Sequence, residues 1–145
     1  MRSKGANGVG RFSVEFEVTN NEDLVRVKDG TIPPNKVRRC TVSGVVDSGA
    51  AMLVLPQAVA KNLGLPLGDK IKVRYADGRH AQRQEAEGAY VELLGRHGTF
   101  AAVLEPKRKD ALIGAIVLEQ LDLLVDSQRQ KVIPRDPSGP VYEIE

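Results

Sequence analysis

A strict two-residue alternation over residues 12–18 commits the start of this chain to a half-buried β-strand, with Phe12, Val14, Phe16 and Val18 on one side and Ser13, Glu15 and Glu17 on the other. The same period returns over residues 71–75. Short apolar runs bounded by turn residues read as further strands at 24–27, 39–46, 52–55, 90–94, 100–104, 123–125 and 131–133. Asp77-Gly78 supplies a hairpin turn after residues 71–75, and the returning arm, 80–85, is too polar for a core, so this hairpin is expected to project from the body. Helical signals are few: residues 56–63, opened by Pro56 and closed by Gly64, and residues 115–121. A mostly β fold with one or two short helices follows.

With 145 residues the chain is long enough to bury one core and too short for two. The expected layout is a flexible start over 1–11, one domain over 12–134, and a turn-rich tail over 135–145. In that tail Val141, Tyr142, Glu143, Ile144 and Glu145 alternate like an edge strand in need of a partner, a candidate for a dimer interface.

Charge and composition exclude several functions. A net charge of +2 is too small to imply nucleic acid, and the basic clusters Arg38-Arg39 and Lys107-Arg108-Lys109 read as solvated loops. With no Trp, three Phe and three Tyr, the chain lacks the aromatic platform of a single-strand nucleic-acid binder. No stretch approaches a transmembrane length and residues 1–8 lack the apolar core of a signal peptide, so a cytoplasmic location without a membrane partner is expected. Cys40 is alone and reads as a buried thiol. His80 and His97 lie in polar stretches, and no His, Cys and acid cluster has zinc spacing, so neither metal nor cofactor is expected.

Chemistry concentrates in Val45-Val46-Asp47-Ser48-Gly49, an apolar run that ends in an acid, a hydroxyl and a glycine. A carboxylate that activates water needs a second acid at hydrogen-bond distance; two such groups cannot both ionise, so they share one proton and divide the roles of base and acid. Glycine after the hydroxyl lets two such loops approach closely and leaves backbone N–H groups free to point at the carboxylates. Ser48 can brace the pair, because its hydroxyl both donates and accepts. The chain has a single Asp-Ser-Gly; the only other Asp-Ser, Asp126-Ser127, is followed by Gln128. The second acid must then come from another copy, and a closed two-fold pair is the commonest way to supply it. A serine nucleophile at Ser48 lacks the Gly-x-Ser-x-Gly setting.

These residues resemble the single-domain, retropepsin-like aspartic proteases, and among them the small bacterial versions, over about residues 12–133. Val46-Asp47-Ser48-Gly49-Ala50 matches the active loop, Tyr75-Ala76-Asp77-Gly78-Arg79 resembles the flap tip, and Leu112-Ile113-Gly114 with its helix resembles the element that closes against the loop. The resemblance implies a closed, barrel-like acid-protease fold with one half-site per chain, a homodimer, and a groove for an extended peptide or protein substrate under two flaps. It implies Asp47 as catalyst, Ser48 and Gly49 as loop support, and Ala50, Tyr75, Ala76, Asp77 and Gly78 as substrate contacts. Asp77 also reads as ordinary turn chemistry. Retroviral enzymes usually carry an Asp shortly after the active triplet and an Arg directly after the downstream glycine; here those positions are Ala51 and Ala115. Both partners of the ion pair are absent together, so no orphan charge is buried. The competing class is a dimeric module that holds a peptide in the same groove without cleaving it; a third, a basic RNA-associated β protein, predicts strongly salt-dependent RNA binding.

Overall fold

The computed structural model describes residues 11–145, and most of the expected flexible start lies outside the described residues. The chain runs β1 (Phe12–Asn20), α1 (Asn21–Lys28), a 3-10 turn (Pro34–Lys36), β2 (Arg39–Val46), β3 (Leu53–Pro56), α2 (Gln57–Leu63) and β4 (Leu67–Arg74). It continues through β5 (His80–Leu93), β6 (Arg96–Glu105), β7 (Ala111–Ile113), α3 (Ala115–Gln120), β8 (Leu123–Asp126) and β9 (Lys131–Pro134).

Six strands close into a barrel in the order β1-β2-β7-β3-β6-β5, with β5 returning to β1. β1 is antiparallel to β2 from Phe12 opposite Val46 to Thr19 opposite Arg39, and its last residues pair with β5 from Glu17 opposite Glu92 to Asn20 opposite Ala89. β7 lies between β2, to which it is parallel, and β3. β4 stays outside the ring and pairs only with the first half of β5. The hairpin of β4 and β5 therefore stands away from the body, as the polarity of residues 80–85 requires.

Alternation works as expected over residues 12–18: Phe16 and Val18 are buried and Ser13 and Glu15 exposed, but at the end of β1 Thr19 and Asn20 are buried as well. With Val46, Leu53, Leu55, Val91, Ala102, Ile113, Val117 and Leu121, Phe16 and Val18 form one continuous core. Ring closure gives each of the six strands a neighbour on both sides, although residues 12–16 of β1 are paired with β2 alone.

Three elements and one residue depart from the sequence reading. Residues 24–27 belong to helix α1, because Asn20 caps it, its side chain accepting from the Asp23 N–H at 3.0 Å, while acids occupy the first turn and Arg26 and Lys28 the last. Capping outweighs the strand preference of Val25 and Val27. Strand β5 runs unbroken through Gly88, where a register shift between Ala86 and Ala89 and a φ of +72° form a bulge. That bend lets one strand serve β4 at one end and β1 at the other. The helices number three among the described residues, and residues 141–145 form no strand here. Instead the tail is tied down by Asp122, whose carboxylate accepts from the Val141 N–H at 2.9 Å and from the Arg135 guanidinium. Cys40 is half-buried rather than buried, and burial pushes its thiol up.

Candidate active site

Asp47 follows the last residue of β2, where the strand ends in a tight turn closed by the Ala50 N–H on the Asp47 carbonyl at 3.1 Å. The Asp47 N–H donates to the Ile113 carbonyl at 3.0 Å, so β7 holds the backbone of the acid. Its carboxylate is fixed at both oxygens. Oδ1 accepts from the Gly49 N–H at 3.0 Å, and Oδ2 accepts from Arg11 Nη2 at 2.9 Å. Ser48 and Gly49 are exposed and Ala50 half-exposed on the same loop.

The loop is held from behind by backbone. Ala115 and Ile116, the first residues of α3, donate their N–H groups to the carbonyls of Ala50 and Ala51 at 2.7 and 3.0 Å. Gly114 makes this approach possible: a Cβ there would lie 2.5 Å from the Met52 carbonyl oxygen and 2.8 Å from that of Ala50. The alanines at 51 and 115 are thus explained, since main-chain hydrogen bonds join loop and helix with no ion pair to bury.

The other predicted site residues lie at the β4–β5 turn. The Tyr75 N–H donates to the Arg79 carbonyl at 2.8 Å and the Gly78 N–H to the Tyr75 carbonyl at 2.9 Å. Gly78 takes a φ of +89°, the left-handed conformation this turn demands. Asp77 accepts from the Arg79 N–H at 3.0 Å and from its Nε at 2.7 Å, which holds its carboxyl below the usual range. Ala76 is exposed at the tip. Tyr75 points back to the body: its hydroxyl donates to Glu105 Oε2 at 2.6 Å, and the guanidinium carbons of Arg79 and Arg83 lie 4.9 and 5.9 Å from its ring centroid.

Glu105 ends β6 and takes a second bond, from Arg83 Nε, at 2.7 Å. Burial pushes its carboxyl up, but hydrogen bonds from Tyr75 and Arg83 outweigh this and leave it below the usual range. Bonding to Glu105 in turn raises the Tyr75 hydroxyl. Sequence reasoning singled out neither Arg11 nor Glu105. Arg11 meets Asp47 across 36 residues with no local signal, and Glu105 ends a strand whose pattern says nothing about its partner.

Residues 35–120, more than half of the 145-residue chain, match the family model described as gag-polyprotein putative aspartyl protease. Among solved structures the chain is similar to the EIAV protease complexed with the inhibitor HBY-793, with a TM-score of 0.45 and 19% identity, covering 56% of this chain and 77% of that one. No curated protein matches the chain.

Proposed function

Since this chain belongs to the gag-type aspartyl protease family, we propose that it is an aspartic endopeptidase whose site is completed by a second copy of itself. The observation that carries the reading is the anchoring of Asp47. Its N–H is held by Ile113, its Oδ1 by Gly49, and its loop by the start of α3, so that a single carboxylate is presented on a rigid, exposed turn. Such preorganisation suits an acid that must meet its copy at hydrogen-bond distance.

In the two-fold pair, one Asp47 carboxylate takes a proton from a bound water, which attacks the scissile carbonyl. Its protonated mate hydrogen-bonds to the carbonyl oxygen, and the departing amine takes a proton in turn. The exposed hydroxyl of Ser48 is available to brace the facing loop, and Ala50, with the hairpin residues Tyr75 to Gly78 as flap, would border the peptide. The exposed tail side chains of Val141, Tyr142 and Ile144 offer apolar surface to the same dimer.

Arg11 marks what assembly must undo. It occupies Oδ2 in the single protomer, the face a mate or a water would need. This contact favours a second reading, a groove that binds peptide without cleaving it.

Cleavage of a peptide library separates the two. Wild type should cut, the Asp47→Asn variant should lose at least about 10³-fold in rate, as expected for removal of a central catalytic group, and wild-type specific activity should fall on dilution through the dimer dissociation range. Intact peptides with both proteins, or an active monomer in sedimentation, would overturn the protease reading or the dimer respectively.

A further inference from the structure

Resting on the endopeptidase reading, we infer that the substrate is an acidic peptide, carrying Asp or Glu a few residues to either side of the scissile bond. The surface in question joins the β4–β5 hairpin to the loop at residues 106–110. Glu105 links them, taking Tyr75 and Arg83 from the hairpin at 2.6 and 2.7 Å immediately before that loop begins. The loop leads at once into β7, where Ala111 lies opposite Gly44 and the Ile113 carbonyl takes the Asp47 N–H. At about 3.3 Å per strand residue, the loop therefore ends roughly 10 Å from the candidate catalyst.

Charge is concentrated on this surface. The hairpin, residues 67–86, and residues 105–110 together hold eight Lys and Arg against five Asp and Glu, a surplus of three, whereas the whole chain has a net charge of only +2. Two of those acids are already occupied: Asp77 by Arg79 and Glu105 by Arg83. Among the described residues no carboxylate lies within salt-bridge distance of Arg74, Lys107, Arg108 or Lys109. Arg74, Lys107 and Lys109 are exposed, while Arg108 turns its Nε to the Asp110 carbonyl at 2.7 Å. Lys70 and Lys72 have a simpler role, since lysine on the free edge of β4 discourages strand pairing. Arg74, at the end of the same strand, shares that edge, but the loop cations do not, so the loop that leads into β7 is left with unpaired positive charge.

Symmetry sets the pattern. A site on a two-fold axis receives this surface from both protomers, so acids are favoured on both sides of the cleaved bond, about two to four residues away at the strand rise per residue. Exposed pairs of this kind guide and select more than they tighten, and they weaken with salt.

The test uses paired peptides that differ only in Asp/Glu against Asn/Gln at those positions. Wild type should cleave the acidic member about five-fold or more faster at low ionic strength, with the ratio shrinking as salt rises. In a Lys107→Gln/Lys109→Gln variant the ratio should fall toward one. Equal cleavage of both members by wild type, or a ratio untouched by the double substitution, overturns the inference and leaves the protease reading standing. Should neither peptide be cleaved, the protease reading fails on its own, and fluorescence anisotropy of the same labelled pair with Asp47→Asn decides the inference. Tighter, salt-sensitive binding of the acidic member upholds it, and equal binding of the two overturns it.

Discussion

Gly114 shows how much one missing methyl group can decide. Its backbone angles are open to any residue, yet a Cβ would press on the carbonyls of Met52 and Ala50, which belong to the main chain and cannot rotate away. Gly114→Ala should therefore push the Asp47 loop off α3, cost about 1–3 kcal/mol in denaturant melts, and reduce activity by more than the loss of folded protein explains. Asp23 carries a different kind of constraint. Buried in α1, it accepts from the Arg38 N–H and from two guanidinium nitrogens at 2.9 to 3.0 Å, and these bonds hold its carboxyl below the ordinary 3.8. A carboxyl lowered by folding stabilises the protein in full above its unfolded value, and the contribution disappears as pH falls through the lower folded value. Asp23→Asn should then destabilise the protein by about 1–2 kcal/mol at pH 7 and flatten the decline in stability below about pH 4, which a pH series of urea midpoints would display.

At the scale of elements, what the sequence reveals depends on whether a signal is local. The hairpin turn at Asp77-Gly78, the start and stop of α2 and the final hairpin of β8 and β9 all rest on neighbouring residues and are legible in the sequence; the closure of Leu112-Ile113-Gly114 on the Asp47 loop is a long-range contact that only the family resemblance implies. The exception among local signals is α1, where the β-branched Val25 and Val27 suggest a strand and the cap at Asn20 decides for a helix. Nonlocal partners were hidden: the Arg11–Asp47 pair, the bond from Asn20 Nδ2 to the Leu63 carbonyl at 2.7 Å, and the union of Tyr75 with Glu105. Composition could not foretell these, because they depend on strand order. One of them can be weighed directly. Glu105→Gln keeps the size of the side chain but removes the charge that holds Tyr75 and Arg83, and charge-assisted bonds of this type contribute about 1.5–3 kcal/mol. Hydrogen exchange across residues 74–83 should quicken about ten-fold or more by mass spectrometry, with the barrel amides unchanged.

For the whole molecule, if the proposed pair forms, the contact of Arg11 with Asp47 competes with it. If the dyad forms only after Oδ2 is released, Arg11→Gln should move the onset of activity to lower protein concentration by about two- to five-fold, in keeping with the modest worth of a half-exposed ion pair. A dilution series of specific activity for both proteins measures this, and an onset that does not move would mean that the arginine leaves without cost.

The ring of six strands has no seam to part, whereas the seventh strand hangs from one neighbour and is pinned at its far end by a tyrosine and an arginine on a common acid. On the endopeptidase reading proposed above, a peptide would be admitted by a swinging of that arm, not by a breathing of the barrel. Its pace would be governed by how often two polar bonds let go together, so entry and exit, more than bond scission, are where this protein's turnover would be throttled.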